Sequence, residues 1–557
     1  MRRFTKWTVI IIVACFAIGL GFYFFAVHAV KKELYKQYDK TVLSKFYDLE
    51  IGRLGVDFFT QNLILYKLSL IPVEITDSSK NVIPEASLRI KRLEIKKLNI
   101  ERLLNQKEFH AVQLLLHQPS LEIGSLPDKK LLQADTKTDT TKPQGLKKII
   151  FDRFVLEDGY INIQTKDKNT NDIFVPSVNM RLEGIHINFD SLNHKPDFGF
   201  SIASQLQIDS LSFRIPGSYY KIHIAKSEIL QQEQELKFSD LKLYPIRGLH
   251  AQAVGLRNQD DVIDLTIKSV QTVGLGFDDL LSREGVFMQK LLVDEPSIQL
   301  MRDKRLPVDE SKRPKMPQQA VRDIKGNFGI DSILLLNASL VYTELMGKKP
   351  DTPSVNFDSL FTLITGFASV DPSTGKQADL IAHSKGILLG EAHFDNRIQW
   401  HFTPDNSFDF YGRLGSMNAN AVNVVSESAA GALFRSGYID SVYFKGLGNQ
   451  DAASGMFEMR YHDLVVDVTQ KRSNNPNKFL SLIANLILRR ENPAEGEGIR
   501  QVQMQTIRVP YKGFFNMYWK TIENGLLNTL KPGKRKRLNK DDALRREWEK
   551  FKKDIAQ

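Results

Sequence analysis

The chain has 557 residues, of which 42% are apolar and 25% charged. That balance supplies core-forming material and excludes both a disordered tail and a bundle of membrane spans. The single cysteine, Cys15, excludes an internal disulfide, a cysteine zinc site and an iron–sulfur cluster, and the net charge of +11 is concentrated near the end, where the stretch from Lys531 holds eleven Lys/Arg against five Asp/Glu. Such placement argues for a local electrostatic contact rather than a nucleic-acid-binding body.

Residues Trp7 to Val30 read WTVIIIVACFAIGLGFYFFAVHAV, with His28 the only strongly polar side chain. As a helix this stretch reaches about 36 Å, against a hydrocarbon core of about 30 Å, so one transmembrane helix is expected. Arg2, Arg3 and Lys6 precede it and hold the N-terminus in the cytoplasm. The expected location is an inner membrane, single-pass, with everything after Lys31 in the periplasm of a double-membrane cell. A cleaved signal peptide ending near Val27-His28-Ala29 is the rival reading, but signal-peptide apolar regions run only about 7–15 residues. Val30–Phe46 continues as an amphipathic helix. The plan is an N-terminus and span at 1–30 and a linker helix at 31–50.

The body repeats itself. Shifted by 177 positions, Leu88, Ile90, Lys91, Leu98, Leu103, Leu104, Leu114, Leu115, Pro119 and Ser120 meet identical residues at Leu265, Ile267, Lys268, Leu275, Leu280, Leu281, Leu291, Leu292, Pro296 and Ser297. Pro176–Asn179 meets Pro353–Asn356 at the same shift, and Leu68–Pro72 and Phe151–Ile163 resemble Leu241–Pro245 and Ile330–Tyr342 at nearby shifts. The preserved order leads us to expect a duplication, with β units at 51–225 and 226–400, a C-terminal β segment at 401–475, and amphipathic helices with a basic tail at 476–557. Units of this size are not solenoid repeats of about 20–50 residues. Each copy is interrupted by a charged, proline-containing stretch, Asp128–Gln144 in the first and Arg302–Gln319 in the second; both are expected to be exposed loops.

Within the units, short runs alternate. Examples are Ile64, Tyr66, Leu68 and Leu70; Leu88 and Ile90; Leu93 and Ile95; Leu206 and Ile208; Leu211, Phe213 and Ile215; Tyr220, Ile222 and Ile224; Ile398, Trp400 and Phe402. Period two gives one apolar and one wet face, the habit of antiparallel sheets. The apolar face must be buried, either against a second sheet or by curling into a groove. Asn99–Phe109 and Gly276–Phe287 have room for a turn or two of helix. Phe479–Leu488 is a short apolar helix before Arg489-Arg490, and Phe514–Leu530 is another that stops at Pro532-Gly533.

Taken in order, these features resemble the AsmA-like proteins of double-membrane bacteria. They comprise an N-terminal anchor, L-x-L-x-P strands (Leu68–Pro72, Leu241–Pro245), Leu-Leu pairs (Leu103-Leu104, Leu280-Leu281), and P-S-[LI]-x-[IL] strands (Pro119–Ile123, Pro296–Leu300). After the polar insertion comes the L-x-x-G-x-I strand Leu156–Ile161, and later Tyr411–Asn423 with the SGYIDSVYFKGLGN and SGMFEMRYHDLVVDV stretches. The resemblance covers most of Ile51 to Val468, and the chain beyond Asn474 departs from it. It implies a long apolar β-groove, open on one side, and a part in carrying phospholipids between inner and outer membranes or in supporting outer-membrane biogenesis. The expected fold is therefore mainly β, with one N-terminal transmembrane helix, a long, curled antiparallel-style sheet built as a groove from two duplicated units, and short C-terminal helices. Ile90, Leu93, Ile95, Leu206, Ile208, Leu211, Phe213, Ile222, Ile224, Ile398 and Trp400 are expected to line the groove for an acyl-chain lipid. Arg489, Arg490, Lys534, Arg535, Lys536 and Arg537 are candidates for touching anionic headgroups.

No catalytic signature stands out: the sequence has no G-x-S-x-G, P-loop, H-E-x-x-H or Gly-rich dinucleotide turn. His223 and His401 fall on polar strand faces, and Asp260-Asp261 and Asp278-Asp279 read as turn or cap residues, since strand neighbours point to opposite faces. The expected function is non-enzymatic and cofactor-free lipid transfer. The alternatives are an assembly factor for outer-membrane proteins, working through strand pairing, and a carbohydrate-processing enzyme, which needs two facing carboxylates about 5–9.5 Å apart.

Overall fold

The computed structural model describes residues 23–73, 86–124, 148–163, 173–188, 197–347, 352–370, 377–468 and 488–531, apart from positions 37, 40–43, 45–46, 58, 216, 283 and 431. The chain divides into two units, up to Glu233 and from Gln234. In the first, helix α1 (residues 23–36) precedes β1 (Tyr47–Asp57), β2 (Asn62–Pro72), β3 (Ala86–Leu98), α2 (Ile100–Gln106), β4 (Glu108–Ile123), β5 (Lys148–Ile163), β6 (Ile173–Asn188), β7 (Asp197–Arg214) and β8 (Tyr220–Leu230). Each strand pairs with the next, and all pairs are antiparallel except β4–β5.

The second unit begins with β9 (Glu235–Pro245), α3 (Leu249–Val254), β10 (Asp261–Val273), α4 (Phe277–Ser282), β11 (Val286–Asp294), β12 (Ser297–Asp303), α5 (Pro317–Arg322) and β13 (Phe328–Leu345). It continues through β14 (Ser354–Ala368), β15 (Leu380–Leu388), β16 (Ala392–Trp400), β17 (Phe408–Leu414), β18 (Met417–Asn418), α6 (Asn423–Ala430), β19 (Ala432–Gly448), β20 (Ala452–Val468), β21 (Gln501–Ile507) and α7 (Phe514–Leu530). Strand β13 runs parallel to both β11 and β12. The expectation of an antiparallel-style sheet is corrected in this respect: each unit is mixed. The polar insertions cause the change, because a connection of about a dozen residues or more can carry the chain back to the same end of the sheet.

The alternation changes phase once within a strand, which separates Leu88/Ile90 from Leu93/Ile95 in one strand, β3, and Leu206/Ile208 from Leu211/Phe213 in β7. In β1, Ile51 and Leu54 are both buried while Gly52 and Arg53 between them are both exposed. Lys67, Gln118, Asp158 and Ser210 mark the break in β2, β4, β5 and β7 with φ values of 52°, 49°, 52° and 64°. One left-handed residue turns the strand by an extra step, so side chains three apart face the same way; such irregularities bend a strand. Because the breaks lie side by side, the bends crease the sheet.

The same devices recur in the second unit. Asp240, Glu295 and Asn337 have φ values of 49°, 47° and 52°, so Pro119 and Pro296 each follow a left-handed residue. Leu98 N–H donates to Gln61 O and Leu275 N–H to Gln234 O, both at 2.9 Å. Asn99 N–H donates to His110 O at 2.8 Å, and Gly276 N–H to Phe287 O at 2.9 Å. The short helices α2 and α4 stand at the two expected sites.

The second insertion is largely the exposed loop expected from its charge, from Lys304 to Lys315, but its end is anchored. Met316 and Gln318 are fully buried, Gln318 Nε2 donates to Asn406 O at 2.8 Å, and Arg508 donates to Pro314 O at 2.5 Å. Asp128–Gln144, Phe479–Ile487 and the tail from Pro532 lie outside the described residues, as do residues 7–22 of the expected span. The part of that span within α1 has Val27 and Val30 packed with Leu34 and Tyr35 over Ile51, Leu54 and Leu65, while Phe24 and Phe25 are exposed. Among the described residues no helix is long and apolar enough to cross a membrane.

Candidate functional site

Ladder neighbours share a face, so the pairings trace continuous rows across the first unit. One row reads Leu54, Leu65, Leu93, Leu116, Leu156, Met180, Leu206, Ile229 from β1 to β8. Another reads Ile51, Leu68, Ile90, Pro119, and Leu211–Ile224 and Phe213–Ile222 extend the apolar surface at the far strands. Of the expected lining residues here, Ile90 and Ile224 are buried, whereas Leu93, Ile95, Leu206, Ile208, Leu211, Phe213 and Ile222 remain partly exposed. The opposite face is polar. It carries Arg89–Glu122 at 3.3 Å, His117–Glu157 at 3.4 Å and Lys226–Glu228 at 2.7 Å. Among the described residues of this unit, α1 is the helix that roofs the apolar side, over β1 to β3 only.

In the second unit comparable rows run into a closed core. Ile364, Ala382, Ile398 and Phe410 are successive ladder neighbours, and α7 lies over this surface. Trp400 meets the Phe514 ring edge-on at 5.4 Å, Phe408 meets it at 5.0 Å, and Phe410 meets Tyr518 at 5.2 Å. Ile398 and Trp400 are 3% and 5% exposed. Their expected place in an open lining is therefore corrected: the α7 aromatics cover them. Sequence pattern found both the strand and the helix, but alternation alone does not tell which helix lands on which strand.

Side chains occupy the free edge of β1 in the first unit and of β21 in the second. On β1, Ile51 N–H donates to Tyr35 OH at 2.9 Å, and Lys31 Nζ donates to Ile51 O at 2.6 Å. On β21, Gln505 N–H donates to Asn524 Oδ1 and Asn528 Nδ2 donates to Gln503 O, each at 3.1 Å. These side chains occupy backbone groups that would otherwise pair with an added strand.

Arg489 is held inside the fold and is corrected as a headgroup candidate. Its guanidinium donates to Glu491 O at 2.8 Å and Glu497 Oε2 at 2.7 Å, and the side chain is 9% exposed. Arg490 is exposed, and Lys534, Arg535, Lys536 and Arg537 lie outside the described residues. His401 is not simply solvated. Its two ring nitrogens lie 2.9 Å from Asp379 and 2.8 Å from Asp409; burial opposes its protonation, but the two carboxylates outweigh that and raise its pKa.

One group escaped sequence reading. Thr362, Ser384 and Asn396 are ladder neighbours on the apolar side, in the row beside Ile364, Ala382 and Ile398. Thr362 Oγ1 and Ser384 Oγ lie 3.0 Å apart, and Tyr518 OH donates to Asn396 Oδ1 at 2.5 Å. Burial raises the Tyr518 pKa and keeps the phenol protonated. The available signal was a polar residue at the apolar phase of consecutive strands. No family model and no curated protein matches the sequence.

Proposed function

We propose that this protein is a membrane-anchored, non-enzymatic carrier of acyl-chain lipid in a bacterial cell envelope, moving phospholipid along apolar β-sheet faces between inner and outer membranes. The observation that supports this most is the row of half-buried Leu, Ile and Met side chains from Leu116 to Ile229, which no helix roofs among the described residues. A continuous, partly exposed apolar row suits a binding surface, and an acyl chain laid on it gains about 0.8 kcal/mol per buried CH₂. The resemblance to AsmA-like proteins and the recurrence of the crease in both units agree with this reading, with duplication as the origin of the second unit. The apolar stretch Trp7–Val30, whose last residues lie in α1, would be the anchor. The assembly-factor alternative is less well supported, because the edges of β1 and β21 are already occupied by side chains.

The test is a photoreactive side chain at position 222 of the full chain, expressed in a double-membrane host. The expected product is a covalent adduct with phospholipid, identified by mass spectrometry. A folded protein that crosslinks only to itself or to other proteins overturns the carrier reading.

A further inference from the structure

We propose that Thr362, Ser384 and Asn396, together with Tyr518 of α7, form a polar station that binds the uncharged ester or hydroxyl groups of a lipid whose chains lie on the apolar face. This rests on the acyl-chain reading above and adds to it a site and a ligand chemistry.

The comparison between units carries the argument. In the first unit the row Leu116, Leu156, Met180, Leu206, Ile229 is apolar throughout. The corresponding row of the second unit runs Val293, Leu335, Thr362, Ser384, Asn396. Three successive strands exchange hydrocarbon for hydrogen-bonding groups, with Ile364, Ala382 and Ile398 on one side of them and Gly386 and Phe394 on the other. Half-buried polar groups among apolar neighbours are costly unless bonded. Among the described residues Asn396 Nδ2 makes no hydrogen bond, and the two hydroxyls share one contact between them.

The chemistry of the row selects the ligand. A hydroxyl pair, a carboxamide and a phenol offer donors and acceptors but no charge. Their charged sequence neighbours, Lys385, Asp395 and Arg397, alternate onto the opposite face, where Lys385 and Asp395 pair at 3.2 Å. A phosphate or carboxylate would find no counter-charge in the row, whereas an ester carbonyl takes the Asn396 amide and a serine hydroxyl. The row also ends beneath α7, at the margin of the closed core of the second unit.

The experiment uses the full chain held in amphipol, with two fluorescent probes of equal chain length: a diacylglycerol and an n-alkane. The variant Thr362→Val/Ser384→Ala/Asn396→Leu is expected to bind the diacylglycerol about tenfold more weakly, the loss of one or two hydrogen bonds, and the alkane as tightly as the parent. Unchanged diacylglycerol affinity in the variant overturns the station and leaves the apolar face standing. A parent that binds neither probe overturns both readings. Should the triple variant fail to fold, Tyr518→Phe removes one hydroxyl and keeps the ring. A several-fold loss for diacylglycerol alone supports the station; an equal loss for both probes overturns it and marks the hydroxyl as structural.

Discussion

The apolar rows of the first unit and those beneath α7 use the same strands-and-ladder plan but different side-chain sizes. In the first unit the row from Leu54 to Ile229 is made of residues of similar bulk, one beside another. Under α7, large rings alternate with gaps. A Cβ on Gly412 would fall on the Phe444 ring, and one on Gly525 of α7 would lie 2.6 Å from Phe457. A surface that receives a fixed helix has to be cut to its shape, because interiors pack at crystal-like density. A surface for a mobile hydrocarbon needs only to be apolar and continuous.

Four experiments would break or sharpen this contrast. The largest effect is expected from Phe410→Ala, which opens a cavity in the closed core and should cost about 3–5 kcal/mol in urea denaturation followed by circular dichroism. The matching Leu156→Ala in the open row should cost well under half as much; equal losses would mean the first unit is packed as tightly as the second. Next comes Gly525→Ala, where overpacking against Phe457 should destabilise by about 1–3 kcal/mol, read from the same transition. Tyr35→Phe removes the acceptor for the Ile51 N–H and should cost about 1 kcal/mol. Hydrogen exchange should show faster exchange at Ile51, and unchanged rates there would break the edge assignment.

The smallest effect is on pH dependence. His401 has a raised folded-state pKa against about 6.5 unfolded, so its contribution is fully present below about 6.5 and is lost as pH rises through the folded value. Thermal stability should therefore fall over that interval in the parent and change less in His401→Gln. A parent that gains stability there would refute the Asp379–His401–Asp409 bridge.

Much of this organisation is written in local pattern. Phe514–Leu530 was legible as a helix because apolar residues recur at helical spacing and Pro532-Gly533 follows, and α2 and α4 were legible from the repeat. The crease was not. In the sequence Ile64 and Tyr66 alternate in phase with Leu68 and Leu70, whereas Leu63 and Leu65 share the face of Leu68 and Leu70, because Lys67 is left-handed. A single non-glycine residue at positive φ has no strong sequence mark, so one bent strand reads as two short ones. The parallel pairings were hidden for a related reason: a polar insertion does not reveal which end of the sheet it returns to. The polar row was missed because its members come from β14, β15, β16 and α7 and meet only through register.

The covered edges of β1 and β21 have a consequence for assembly. A β-sheet is a polymer that grows by templating, since each new strand presents the donors and acceptors that recruit another. Tyr35 and Lys31 at the β1 edge, and Asn524 and Asn528 at the β21 edge, act as chain terminators in that sense. A sequence that repeats its strand-forming unit carries the means of unlimited elongation, and these two helices stop it at the β1 edge of the first unit and at the β21 edge of the second.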